Sequence, residues 1–421
     1  MIPSTTPAGT DPSAVPFLAR TPEEWEREAR RLGGKPFHGR QIFRSIQYRG
    51  VTNPLEMLDL PKALRERLAT EGLRDSVEAL TVRRSTDGTR KILIGARDQA
   101  NVETVLIPGV TGARGRLPSP YDAADAAAGG GGDDGYGPDD DGSGDGPGEG
   151  EGDGEVQTGT APDARIRVSQ CISTQVGCAM GCVFCASGVA GFKRHLDAGE
   201  IVGQVLLGRR HLDDDERLSN VVYMGMGEPL HNYDATARSL RILTHQDGIC
   251  LSTRRITVST SGLVPEILKL GEDFQGNIGL AISLHAVSDE RRSALMPINR
   301  KYPIAELMSA LRKYPLPKRR RITIEYTLVS GQNDTPAEAK GLTKLLATLP
   351  VKINLIPMNP IDASTLGPPP MAGVLKFQKI LVDAGFSCFI RRQRGEDVDA
   401  ACGQLALLGA KPKVKRSLGV I

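Results

Sequence analysis

Between residues 165 and 358 the sequence alternates six times between extended and helical patterns, and this restricts the chain to a parallel α/β sheet. The candidate strands are residues 167–174, 220–226, 255–259, 278–284, 321–329 and 351–358, with helical segments between them. Parallel neighbours need a long crossover, and a helix supplies it. Six such units predict a parallel sheet wrapped as a partial barrel. The chemistry of such a barrel gathers at the C-terminal ends of its strands. A functional site is therefore sought there.

The first strand leads into Cys178-Ala179-Met180-Gly181-Cys182-Val183-Phe184-Cys185, a C-x3-C-x2-C pattern. The chain has seven cysteines in 421 residues, and at that frequency the spacing is expected by chance about 0.002 times per chain. Thiolates are the usual ligands of structural zinc and of iron-sulfur clusters. A closed zinc site needs four ligands, commonly two C-x2-C knuckles, and the trio has neither a partner knuckle nor a nearby His pair. His195 stands alone ten residues on. Three thiolates suit a four-iron cluster with one iron open, which can bind S-adenosylmethionine and start radical chemistry. Zinc is the alternative on spacing alone.

No run of eighteen apolar residues occurs, and the N-terminus has no charged, then hydrophobic, leader. The expectation is a soluble cytoplasmic protein without membrane contact, a compartment whose reduced thiols suit an oxygen-sensitive cluster. The formal net charge of +3 conceals a division. Residues 121–155 hold twelve Asp or Glu and no Lys or Arg, which leaves 53 basic against 38 acidic side chains elsewhere, a balance of +15. Such an excess is either the footprint of a nucleic-acid partner or a merely soluble basic surface.

Upstream of the barrel, residues 1–20 are rich in Pro, Thr, Ser and Ala and read as a disordered tail. A helix begins at Thr21, with Pro22 at its first position, Glu24 completing a capping box and Gly33 as its stop. Helical patterns about 38–48 and 61–70 complete a small accessory domain over residues 21–75. It carries Arg27, Arg30, Arg31, Lys35, Arg40, Arg44 and Arg49, which make either an RNA-contacting face or a solvated one. Residues 76–110 form a β extension with extended runs at 79–83, 90–94 and 102–107. Residues 111–163 are acidic and Gly-rich, and read as a disordered insertion between two strands. The barrel and a C-terminal cysteine loop then occupy residues 164–405, with a basic tail over 406–421.

Further motifs stand at the other strand ends. Gly225-Met226-Gly227-Glu228-Pro229 allows close backbone approach and offers a carboxylate to a ligand ammonium. The hydroxyls of Ser259-Thr260-Ser261-Gly262 suit a carboxylate or a ribose, and Ser283-Leu284-His285 and Pro357-Met358-Asn359-Pro360 follow. Singly each is an ordinary loop; together they favour a shared cofactor pocket. Cys171 lies seven residues before the trio, and Cys402 follows the basic loop of Arg391, Arg392 and Arg394. The polar setting of Cys402 suits an exposed reactive thiol. Cys250 and Cys388 read as buried small hydrophobes.

Taken together, these residues resemble the RlmN/Cfr family of radical adenine methyltransferases. The likeness is dense from Val102-Glu103-Thr104 to Cys402, and rests on Cys171 to Cys178, Gly225 to Pro229, Ser259 to Gly262, Ser283 to His285, and Arg394-Gly395-Glu396-Asp397 through Gln404. The acidic insertion departs from the family pattern. The resemblance implies a radical S-adenosylmethionine barrel with a [4Fe-4S] cluster on Cys178, Cys182 and Cys185. It implies S-adenosylmethionine contacts at Gly227, Glu228, Ser259, Ser283, Leu284, His285 and Asn359. Cys402 would carry the methyl group, Cys171 would resolve a covalent intermediate, and Glu103 would accept a proton. Read alone, Glu103 is an exposed strand carboxylate.

The implied reaction is methylation of adenine carbon 2 in 23S rRNA and in a tRNA anticodon loop, using two S-adenosylmethionine molecules per turnover. The implied partners are those RNAs and an electron donor such as flavodoxin, with the enzyme a monomer. The target carbon is electron-poor and cannot attack a sulfonium methyl. A thiolate takes the methyl group by displacement instead, and a radical route joins it to the ring. Methylation at carbon 8, as in the Cfr branch, is the close alternative. From another class, the alternative is an iron-sulfur RNA-binding redox sensor without turnover.

Overall fold

The structure is a computed structural model that describes residues 15–71, 76–96, 98–109, 165–362, 364–391 and 394–405. Its strands are β1 (Val77–Arg84), β2 (Arg90–Ala96), β3 (Asn101–Pro108), β4 (Ile166–Cys171), β5 (Gln175–Gly177), β6 (Phe192–His195), β7 (Glu216–Tyr223), β8 (Ile256–Thr260), β9 (Gly279–Ser283), β10 (Ile322–Leu328), β11 (Val351–Pro357) and β12 (Cys388–Ile390). Ten of these form one sheet in the order β1-β2-β3-β4-β7-β8-β9-β10-β11-β12. From β1 to β4 the neighbours are antiparallel, and from β4 to β12 they are parallel. β5 and β6 pair separately as an antiparallel hairpin.

All six expected strands are present, displaced by a few residues at their ends. Parallel strands covered on both faces read as continuous apolar runs. β10 is buried at all of its positions even though Thr323, Glu325 and Thr327 interrupt its apolar residues. β12 adds a seventh parallel strand, three residues long, that pairs Cys388 with Ile353. At the opposite edge β1 exposes all but its first residue.

The accessory domain contains helices Pro22–Arg31, Pro36–Gln47 and Lys62–Thr70. Its capping box is as expected: Thr21 Oγ1 accepts from the Glu24 amide, and the Thr21 amide donates to Glu24 Oε2 at 2.8 Å. The preceding segment corrects the reading of residues 1–20 as a tail, because residues 15–20 are described and packed. Phe17, Leu18 and Ala19 are buried, and Phe17 meets Trp25 edge to face. The Leu18 carbonyl accepts from Gln47 Nε2 at 2.9 Å, and the Ala19 carbonyl accepts from Arg238 Nε at 2.8 Å. Composition concealed two large apolar side chains, each contributing about 1.5–3 kcal/mol on burial. Together with Arg209, which donates to the Gln47 carbonyl, they fasten the accessory domain to the barrel.

The expectations for residues 1–14, for the insertion at 111–163 and for the tail at 406–421 lie outside the described residues. Cys388 is buried, whereas Cys250, expected to be buried, is exposed in a positive-φ turn. Among the described residues no helix is long and apolar enough to cross a membrane.

Candidate active site

A cavity of about 160 Å³ lies at the C-terminal ends of the parallel strands. Cys178, Cys182 and Cys185 line it, with Gly227 and Glu228 after β7, Ser259 from β8, Ser283 and His285 at β9, Asn359 after β11, and Cys402. A flat sheet would spread the ends of β7 to β11 over about 19 Å. Their meeting on one cavity reflects the curl of the partial barrel.

The cysteine loop is held by its own backbone. Gly177 has a φ of 75°, and the Cys178 amide donates to the Gly191 carbonyl at 3.1 Å, closing the hairpin beneath the first thiol. The Val183 amide donates to the Leu295 carbonyl at 3.1 Å, and Cys182 and Val183 pack on Leu295 and Met296. Burial pushes the Cys178 thiol up to about 12 and raises Cys182 and Cys185 as well. Metal loading therefore displaces protons.

Three soft donors on one cavity suit a four-iron cluster, in which each thiolate takes a different iron. A closed zinc site instead requires its ligands to converge on one point. The lining carries one further cysteine, Cys402, rather than a second C-x2-C knuckle, together with Glu228 and His285 as partners for an amino-acid ligand group. The fit is to the cluster.

In the same lining, Glu228 is buried and accepts from the Leu230 amide at 3.1 Å and the Ser261 amide at 2.8 Å. Burial raises its pKa, and these hydrogen bonds oppose the rise. Its own amide donates to Gln175 Oε1 at 2.9 Å. His285 has a φ of 58°, and its Nδ1 accepts from the Thr327 amide at 2.9 Å. A backbone N–H only donates, so in the neutral ring Nε2 carries the proton. Burial first, and the charge of Arg292 second, lower its pKa to about 3. A neutral donor and a carboxylate thus line the same cavity, a pair suited to an amino-acid ligand group.

Cys402 is half-buried rather than exposed, and burial raises its pKa while Arg391 opposes the rise. Its carbonyl accepts from Asn359 Nδ2 at 2.8 Å, and the next carbonyl, of Gly403, accepts from the Ala186 amide at 2.8 Å. The loop before it rests on the β1–β2 turn. The Gly395 amide donates to Asp87 Oδ2 at 3.1 Å, and Lys91 Nζ donates to the Asp399 carbonyl at 3.1 Å. A second, smaller cavity of about 20 Å³ has Cys171, Met224, Asn359, Arg391 and Cys402 in its lining. Cys171 and Cys402 thus share a cavity, and both are free thiols. Burial, then the neighbouring Cys402, push Cys171 up to about 12, with Arg391 opposing.

Two expected residues stand apart. Leu284 is fully buried and lines neither cavity; its carbonyl accepts from Arg292 Nε at 3.0 Å. Glu103 also lines neither, and it is 1% exposed rather than an exposed strand carboxylate. Lys91 pairs with it at 3.2 Å, linking it to the Cys402 loop through the Asp399 carbonyl. Glu325 in the cavity wall was not among the expected residues, although a carboxylate in a strand expected to be covered on both faces is a legible signal. Gln175, inside a motif already singled out, was passed over as a side chain.

The sequence profile described as the Radical SAM superfamily matches residues 172–340. A Sorangium cellulosum protein named dual-specificity RNA methyltransferase RlmN is 64% identical over 402 residues, covering 96% of this chain and 98% of its own. A protein of the same name from Syntrophobacter fumaroxidans is 40% identical, covering 91% and 94%. The crystal structure of a radical SAM methyltransferase from Sphaerobacter thermophilus superposes with a TM-score of 0.76 at 37% identity, covering 94% of this chain and 100% of that one.

Proposed function

The chain belongs to the RlmN family of radical S-adenosylmethionine methyltransferases, and from that premise we propose that it methylates carbon 2 of adenine in 23S rRNA and in a tRNA anticodon loop. The observation that carries the proposal is the place of Cys402: its cavity is lined on one side by the three cluster cysteines, and it shares a second cavity with Cys171.

In this reading Cys178, Cys182 and Cys185 hold a [4Fe-4S] cluster, and Gly227, Glu228, Ser259, Ser283, His285 and Asn359 cradle S-adenosylmethionine. When bound, these two groups supply a methyl donor and a carbon-centred radical. Glu228 receives the ligand ammonium and His285 Nε2 donates to an acceptor. Leu284 contributes from behind the wall through its backbone.

Cys402 gives up its proton, accepts the methyl group by displacement, and later bears the RNA. Arg391 favours its thiolate. Cys171 then attacks the Cys402 sulfur, which forms a Cys171–Cys402 disulfide and frees the methylated base, and an outside reductant restores both thiols. Glu103 takes the base proton in this scheme, supported by its link through Lys91 to the Cys402 loop. An electron donor of the flavodoxin type, a cytoplasmic location and a monomeric state complete the proposal.

Anaerobic reconstitution with methyl-labelled S-adenosylmethionine and ribosomal RNA tests it. Label is expected first on Cys402 and then on 2-methyladenosine. If 8-methyladenosine alone forms, the carbon-2 assignment falls; if a loaded protein never acquires label, the carrier step falls with it.

A further inference from the structure

Arg292 lies on the helix Asp289–Leu295, is 0% exposed and lines neither cavity. A guanidinium has no aliphatic reason to be buried, and its burial is costly unless its donors are satisfied. Here they reach several acceptors. Nη2 donates to the Ser261 carbonyl at 2.7 Å and the Ser283 carbonyl at 3.1 Å, Nε donates to the Leu284 carbonyl at 3.0 Å, and Nη1 donates to Asn299 Oδ1 at 2.9 Å. The first three are carbonyls at the ends of β8 and β9, directly behind the wall where Ser259, Ser261, Ser283 and His285 face the cavity.

The other end of the same helix meets the cysteine loop. The Arg292 carbonyl accepts from the Met296 amide at 2.7 Å, the Leu295 carbonyl accepts from the Val183 amide at 3.1 Å, and Leu295 and Met296 pack on Cys182 and Val183. Burial lowers the pKa of Arg292 to about 10. The side chain is therefore cationic at neutral pH, behind the wall of the cavity that Cys182 lines.

We propose that Arg292 is a positioning residue that sets the cofactor wall and the cysteine loop in one register, and that its buried charge, held on the carbonyls of Ser261 and Ser283 behind the cavity that Cys182 also lines, favours uptake of an electron by a cluster held there. The proposal rests on the reading that the cysteine trio holds the cluster. Reduction adds one negative charge to the cluster, and a fixed cation in a water-poor surrounding stabilises the reduced form. The electron comes from an external one-electron donor. The planar fork matters separately from the charge, because a lysine offers one compact ammonium where the guanidinium reaches separated carbonyls along fixed directions.

The test compares wild type, R292K and R292M after anaerobic reconstitution. Iron and sulfide content, the midpoint potential of the cluster and the dissociation constant for S-adenosylmethionine are measured for each. Iron content is expected to be equal in all three. R292M is expected to bias the one-electron equilibrium about tenfold against the reduced form, which is a fall of about 59 mV, while R292K keeps the wild-type potential. Both variants are expected to bind S-adenosylmethionine roughly tenfold more weakly, as for displaced hydrogen-bonding groups worth about 1.4 kcal/mol.

A wild-type potential in R292M overturns the charge effect, and wild-type affinity in R292K overturns the positioning effect. If R292M fails to fold, R292K still decides: weaker binding at an unchanged melting temperature supports the proposal, and unchanged binding refutes it. Failure of the wild type itself to load iron would refute the cluster reading instead.

Discussion

The side-chain amide of Asn359 donates to the carbonyl of Cys402 at 2.8 Å, so one residue at the end of β11 both lines the cavity and restrains the loop that bears the proposed carrier thiol. Substituting Asn359→Ala removes a hydrogen bond worth about 1 kcal/mol and frees that loop. Alkylation of Cys402 in the apoprotein, followed by peptide mass spectrometry, is expected to quicken about fivefold, the factor that this energy represents. An unchanged rate would show that the contacts around Gly395, Asp399 and Gly403 suffice.

Cys402 and Cys171 share a cavity, yet their removal should have opposite signatures. With Cys402→Ala the iron content stays at the wild-type level, and neither labelled protein nor methylated RNA forms. With Cys171→Ala, protein should be captured as a covalent RNA adduct, visible as a slow band on denaturing gels that nuclease collapses. A C171A enzyme that turns over freely would remove the resolving role; methylation by C402A would favour another acceptor and sink the scheme.

His285 makes stability depend on acid. Its pKa is depressed from 6.5 to about 3 by burial and by Arg292, so the unfolded chain binds its proton first as pH falls. The stabilisation is present above about 6.5 and lost on the way down through about 3, on the order of a few kcal/mol. His285→Asn suits the positive φ and can present Oδ1 to the Thr327 amide in place of Nδ1. Urea unfolding at stepped pH should show a shallower acid slope in H285N, and parallel slopes would argue that the ring is not the titrating group.

Gly177 is a second point of intolerance. At a φ of 75° a side chain is strained, and a Cβ would collide with the Gly191 carbonyl oxygen that receives the Cys178 amide. Gly177→Ala should lower unfolding stability by about 2 kcal/mol or more and reduce the iron retained after reconstitution. Wild-type values for both would mean that the hairpin adjusts without disturbing the first thiol.

These cases show what a linear reading can reach. The six central strands declared themselves because strand and helix impose different apolar periods over many residues, and the cysteine trio because its spacing is chemically specific. β12 did not, since three residues cannot display a period. Phe17 and Leu18 were hidden in a tail-like composition, and the segment is held by Gln47 on the Leu18 carbonyl and by the distant Arg238 on the Ala19 carbonyl. Arg292 sits among Asp289, Glu290 and Arg291, where local sequence describes a solvated helix; only the returning carbonyls of β8 and β9 make it internal. Leu284 matched a motif, yet its carbonyl is taken by Arg292 and its amide by the Glu325 carbonyl, and it lines neither cavity.

The Cys402 loop rests on Asp87 and Lys91, and each of these contacts spans 308 positions of sequence. On a ribosome the strands and the cysteine trio emerge well before Cys402 does, so the thiol-bearing loop is among the last pieces able to dock. In the proposed scheme a nascent chain thus completes the cysteine trio while still lacking the proposed carrier thiol, and a chain ended before residue 402 is expected to leave RNA unmodified by this route.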